Sequence, residues 1–317
     1  VTEATEGPGA NLLQVSAARA IGLLLGAAAD EAISGSRRVE RLLDGKSGLL
    51  LAGAALAAGM GVERAGRTRP VLQAFGTAVA TWAVLGGAGL ATNGTKLARD
   101  LEEGELESAR AKLAELDTRR TDSLDVIGLS RASVESVAQH TSHTVVGPLF
   151  WGAVAGIPGM VFSRLVTALR DRARVFARFG AIVDLVPTRF TAALTVTGAP
   201  VVGGSASGAW RAWRRDTIAH PNPNEGRVEA AFAGALEIRL GGRTVYPHGV
   251  EERPVLGDGR NPDAGHVTRA VELSRVIGWL TALSSAVLAA LLEVRRSRRR
   301  GLRRLRRASL RPTCAAD

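Results

Sequence analysis

VLQAFGTAVATWAVLGGAGLA, Val71 to Ala91, decides the fold. It carries no charged side chain over a length that can cross about 30 Å of hydrocarbon as an α-helix, which takes roughly 20 apolar residues. Trp82 and the glycines at 86, 87 and 89 suit close packing against other helices. Composition agrees. Hydrophobic residues make up 46% of the chain and aromatics only 4%, with 37 glycines. The length would allow two soluble domains, but this balance argues for helices packed through small residues. The net charge of +11 comes with too much apolar content for a disordered basic protein. Cys314 is the single cysteine, which excludes an intrachain disulfide and a cysteine metal cluster. The N-terminal VTEATEGPGANLL has no basic n-region, so no cleavable signal peptide is expected.

On the N-terminal side, Leu12 to Ala29 reads as a first membrane helix or a buried one, with Arg19 near its start. Arg37, Arg38 and Arg41 follow as a solvated or headgroup-facing turn. Gly48 to Gly61 is apolar but short for a span, and Arg64, Arg67 and Arg69 after it read as cytoplasmic. On the C-terminal side, Thr95–Glu103 and Glu105–Leu116 read as an amphipathic helical hairpin around Gly104. His140 and His143 stand at i, i+3, but two ligands without a third do not make a zinc site. Thr144 to Phe162 is a second run long enough to span, with Pro148 and Pro158 inside it. Phe162 to Phe179 alternates arginines with apolar residues, as a helix lying among anionic headgroups would. Asp184 and Arg189 lie within the apolar run Phe179 to Val202, and must pair or escape full immersion.

Ile277 to Leu292 is a last apolar helix, short for a span. The tail RRSRRRGLRRLRR, Arg295 to Arg307, reads as a topology and headgroup signal rather than a nucleic-acid site. The fold class is therefore all-α: a polytopic helical membrane protein with polar helical loops. Its expected organisation is a disordered stretch 1–11, one membrane-embedded domain 12–292 with polar segments 92–143 and 203–275, and a basic tail 293–317.

The most distinctive polar stretch is HPNPNEGRVEAAFAGALEIRLGG, His220 to Gly242. Pro221 and Pro223 stiffen its start, Asn224 suits a helix N-cap, and Val228, Ala231, Phe232, Ala235 and Leu236 recur at helical spacing. Gly241 and Gly242 are expected to end the helix. A rigid loop feeding a helix N-terminus suits an anion, and also suits an ordinary capped helix.

This stretch resembles the HPSPNAG-x-x-E-A-x-x-AGAL-x-x-RLGG block of the adenosylcobinamide-phosphate synthases, the CobD/CbiB family of cobalamin biosynthesis. RASVESVA from Arg131, GPLFW from Gly147, GVEERPVLGDGR from Gly249 and RAVELSR from Arg269 also match, within a resemblance running from about Arg19 to Ile277. The resemblance implies a multi-pass protein of the cell inner (plasma) membrane and an ATP-dependent ligase. Such an enzyme joins aminopropanol, or its phosphate, to the propionate carboxylate of adenosylcobyric acid. It implies ATP and Mg²⁺, a corrinoid substrate, membrane lipids, and other cobalamin-assembly membrane enzymes as partners. His220, Asn222 and Asn224 are then expected to bind substrate or phosphate, and Glu229 and Arg253 to contact amine or phosphate. No general base is identifiable. Relatives usually carry acids where this chain has Gln139 and His143, asparagine at Asp184 and alanine at Glu225, and the GDP-x-x-x-HP motif is absent. The alternative is a non-catalytic member acting as a membrane scaffold in corrinoid assembly. If nucleotide is used, the His220 loop and the arginine tail should share the cytoplasmic face, with the last helix a hairpin, in-plane or packed in the bundle.

Overall fold

The computed structural model describes residues 8–33, 48–66, 68–170, 174–247 and 249–309. In chain order the helices are α1 Pro8–Ala32, α2 Gly48–Gly66, α3 Pro70–Val84, α4 Gly87–Glu103, α5 Leu106–Ala114 and α6 Val126–His140. A π-helical segment Thr141–Val146 joins α6 to α7 Gly147–Ala155. Then come α8 Ile157–Leu169, α9 Arg174–Val183, α10 Leu185–Gly198, α11 Ala206–Asp216 and α12 Pro223–Leu236. A hairpin, β1 Leu240–Tyr246 with β2 Gly249–Leu256, leads into α13 Ala264–Ser309. The turn at Arg37, Arg38 and Arg41 and most of the stretch 1–11 lie outside the described residues. α1 already begins at Pro8.

Among the described residues two cores hold most of the buried apolar side chains. One is small and apolar, built from Leu23, Val84, Leu85, Leu149, Met160, Ala282 and Ala289 on α1, α3, α7, α8 and α13. Outside it, Ile21 and Leu25, then Val71, Phe75 and Val79, then Leu283, Val287 and Leu291 are exposed at intervals of one helical turn. Water does not tolerate such stripes over a whole layer, whereas lipid tails do. Among the described residues three runs are long and apolar enough to cross a membrane: Pro70–Glu103, Leu185–Val202 and Ala264–Arg296. The second core joins α4, α5, α6, α12, the hairpin and the first part of α13 through Leu97, Leu113, Leu129, Phe232, Leu240 and Leu273. The protein is thus an all-α membrane protein whose polar helical segments form a packed body of their own.

The helices differ from the sequence expectation at definite places. Val71–Ala91 is not one helix. α3 stops at Val84, Leu85 is extended, and the Gly86 N–H donates to the Thr144 carbonyl at 3.2 Å. Asp30 then caps α4, accepting from the Ala88 N–H at 3.1 Å. Thr144–Phe162 is broken at Gly156, whose φ of 74° suits only glycine. Phe162–Phe179 divides between α8 and α9, with Arg164 buried instead of facing headgroups. Asp184 pairs with Arg170, while Arg189 turns back to the Leu185 carbonyl. Arg19 is buried and paired with Glu63 and Glu293, and Arg296 holds the Val154 carbonyl at 2.8 Å.

Of the forms expected for the last helix, the structure has one packed in the bundle, with Ala282 and Ala289 in the core, and no hairpin. α13 is continuous, and Ser274 and Glu293 lie about 28 Å apart along it at 1.5 Å per residue. That is close to the thickness of the hydrocarbon layer, about 30 Å. Ser274 accepts a hydrogen bond from Thr141 at the level of the polar body, and Glu293 meets Arg19 at the other end. Cysteines introduced at Ser207 and Arg299, in a Cys314→Ser background, are therefore expected to react with an impermeant maleimide from opposite faces of sealed vesicles. Reaction of both from one face would refute the span.

Candidate functional site

Pro223 occupies the first turn of α12, where its missing N–H costs nothing, so the cap is Asn222 and not Asn224. Asn222 Oδ1 accepts from the Asn224 N–H at 3.2 Å. The Asn224 side chain is spent on structure. Its Nδ2 donates to the Ala181 carbonyl at 2.7 Å, and its Oδ1 accepts from Arg227 at 3.0 Å. The helix ends at Leu236 with Glu237 left-handed, and Gly241 and Gly242 belong to β1. Thus the start of α12 is capped by Asn222, and Asn222 and Asn224 are engaged in holding the loop.

The deeper residues of the stretch do converge. Glu229, one and a half turns into α12, is fully buried, as is the His220 side chain. Their Oε2 and Nε2 atoms lie 3.5 Å apart. β2 delivers Arg253 to the same place, with Nη1 3.7 Å from Glu229 Oε1. Gln139 on α6 donates to that Oε1 at 2.5 Å. His220 Nε2, Glu229 Oε2 and Arg253 Nη1 are all buried without a hydrogen-bond partner. Unmet buried polar groups are rare and cost about 1–3 kcal/mol each, so three in one place need an explanation. Burial, reinforced by the charge of Glu135, pushes the Glu229 carboxyl up to about 8. Burial, helped by Arg253, holds His220 below its ordinary value.

Glu135, which no sequence pattern singled out, is the second acid. Burial alone would raise it, but Arg119 and the Gly241 N–H outweigh burial and hold it below its ordinary value. Arg119 Nη1 lies 2.7 Å from Glu135 Oε2, and the Gly241 N–H donates to Oε1 at 2.7 Å. Its only sequence signal is a lone carboxylate in the small-residue face of RASVESVA. The hairpin carrying Arg253 was also missed, although PHG between two extended runs is a turn signal.

A neighbouring cluster lies at the start of α10. Arg170 bonds Asp184, approaches Glu225 Oε1 at 3.5 Å and lies 3.3 Å from His143 Nε2. His143 is buried, not solvated, and its proton affinity falls through burial and the adjacent guanidinium. These residues do not fit a magnesium ion. A cation already fills the space between the carboxylates, and the Gln139 amide is turned to Glu229 as a donor. Among the described residues no group of three His, Cys, Asp or Glu could hold a metal.

A helical membrane protein with a buried acid, histidine and arginine under a proline-stiffened loop is the class that this geometry defines. The sequence model of the CobD/Cbib protein family matches residues 17–274, and the chain belongs to that family. It is similar to the Cobalamin biosynthesis protein CobD of Mycobacterium tuberculosis, 46% identical over 259 residues, or 78% of this chain and 80% of the relative. The protein of the same name from Chromobacterium violaceum is 35% identical over 70% of this chain and 73% of its own. That of Clostridium perfringens is 28% identical over 74% and 78%. No solved structure matches.

Proposed function

We propose that this chain acts in cobalamin biosynthesis, forming an amide between aminopropanol, or its phosphate, and the propionate carboxylate of adenosylcobyric acid. The observation that supports this is the meeting of His220, Glu229 and Arg253 with three unpartnered polar atoms. An amine donor needs an acceptor such as Glu229, and an anionic group needs a cation such as Arg253. ATP is the proposed co-substrate: it would supply the leaving group that an unactivated carboxylate lacks. Magnesium would arrive on the nucleotide phosphates rather than on ligands of this chain. The inner membrane, with several crossings, is the proposed location, and other membrane enzymes of corrinoid assembly are proposed partners. Asn222 and Asn224 hold the loop in shape, and His220 is the member of that trio placed to meet a ligand.

The filling of the Asp184–Glu225 space by Arg170 favours a second reading, a scaffold that binds corrinoid without turning it over. The test is product formation by purified protein with adenosylcobyric acid, aminopropanol phosphate, ATP and Mg²⁺. We expect corrinoid binding with turnover about 10²-fold or more below that of a family member that carries acids at the positions of Gln139 and His143, since one lost electrostatic contact costs that much. Gln139→Glu/His143→Asp should recover little, because Arg170 remains and the bond to Glu229 is lost. Binding without product would install the scaffold reading. Neither binding nor product would remove both.

A further inference from the structure

We propose that Glu229 receives the amine nucleophile and takes its proton, with Gln139 as the positioning residue that turns Oε2 toward the substrate. This rests on the proposed ligation for its chemical context, but its test does not need turnover.

The geometry comes first. Gln139 donates to Oε1 at 2.5 Å, so Oε2 is the carboxyl oxygen that accepts no hydrogen bond. That oxygen has no partner, and the His220 nitrogen facing it at 3.5 Å has none either. His220 Nδ1 is already engaged, at 2.8 Å from the Asn222 carbonyl. The carboxyl is thus hydrogen-bonded on one side and faced only by His220, beyond good hydrogen-bond distance, on the other, which leaves an oxygen able to accept from a small donor. Arg253 Nη1, 3.7 Å from Glu229 Oε1 and also without a hydrogen bond, is placed to take the anionic end of the same molecule. A short amine carrying an anion, as the proposed aminopropanol phosphate does, would meet both groups.

The charges then assign roles. Glu229 is faced by Gln139 and Glu135 from α6, His220 from the loop, Arg253 from β2 and Glu225 from its own helix, with Arg119 behind Glu135. Arg119 keeps Glu135 ionised, and the two buried acids are driven apart. Such pairs mark acid–base sites, because one group stays charged while the other exchanges protons near neutrality. Burial and the charge of Glu135 favour the protonated form of Glu229 in the free protein. An incoming ammonium group displaces that proton to solvent and pairs with the carboxylate. The ammonium then gives one proton to Glu229 and becomes a neutral amine. Its nitrogen forms the C–N bond to an acyl phosphate made with the nucleoside triphosphate. The C–O bond to phosphate breaks, and the second nitrogen proton leaves with the phosphate.

Titration calorimetry of 1-amino-2-propanol phosphate with the full chain in detergent tests this. It is run in two buffers of different protonation enthalpy, neither an amine nor a phosphate. At pH 7 the wild type should release close to one proton per amine bound, and the release should fade as pH rises through about 8. Glu229→Gln should bind at least about ten-fold more weakly and release none, while Glu229→Asp should keep part of the release. Thermal melts show whether each variant is folded. Equal release by wild type and Glu229→Gln, or no amine binding by the wild type, overturns the proposal. Proton-linked binding without amide formation would support Glu229 while defeating the ligase reading. Where turnover is measurable, Glu229→Gln should lose about 10²–10⁴-fold in rate and regain part of it at high pH, where the amine is already neutral.

Discussion

Replacing Glu135 with alanine is expected to cost about 3 kcal/mol of stability, because it takes from the buried Arg119 one of its two carboxylates, leaving Asp117, and strips a buried N–H of its acceptor. Arg119 and Glu135 side chains are only 5% and 1% exposed, so water cannot take the place of the lost carboxylate. The Gly241 N–H would lose its acceptor as well, at the base of the strand pair that carries Arg253. Glu135→Gln should fall between wild type and alanine, since an amide oxygen can still accept one of these bonds. Thermal melts in detergent provide the comparison, and an unchanged midpoint for Glu135→Ala would refute the assignment. The pH dependence has a definite sign. Glu135 is held below its unfolded value of 4.5, so its contribution is complete above that value and is lost as pH falls further.

Gly226→Ala is expected to cost the site more than the fold. A Cβ there would lie 2.8 Å from His220 Cγ, and closer still to His220 Cβ. The loop must move, and His220 is the residue whose ring is aligned on Glu229. A displacement near 1 Å at a reacting group can cost about 10²-fold in rate. Alanine is also a better helix former than glycine. We therefore expect amine binding or amide formation to fall by about 10²-fold with little change in melting temperature. Full activity in Gly226→Ala would show that the His220 ring position is dispensable.

Hydropathy made the membrane layer legible in part: Val71–Ala91 needs only length and absence of charge to be seen, whereas Ile277–Leu292 read as short for a span because charged residues on both sides hid the continuous α13. It could not show where helices break. The turns at Leu85–Gly86 and Gly156 are set by partners far along the chain, Thr144, Asp30 and Glu63. The site was legible in part. His220, Glu229 and Arg253 come together, whereas Asn222 and Asn224 serve the backbone and the neighbouring helices. Glu135 and Arg119 escaped because a buried ion pair has no periodic signature: its two halves are ordinary polar residues until tertiary packing closes over them. Arg170 read as one of five arginines on a surface helix, and only the fold brings it to Asp184 and Glu225.

The crossing of α11 and α12 has an evolutionary consequence. Gly208 and Gly234 face each other with bare backbone. A Cβ on the first would lie 2.5 Å from the Gly234 carbonyl oxygen, and one on the second 2.6 Å from the Gly208 carbonyl carbon. Neither position can drift alone, because the obstruction is main chain and cannot swing aside. In any descendant that keeps this crossing the two sites must stay glycine together. A lineage that loses one has no reason to preserve the other, so their joint presence or joint loss should trace which homologues retain the packed wall behind Glu229.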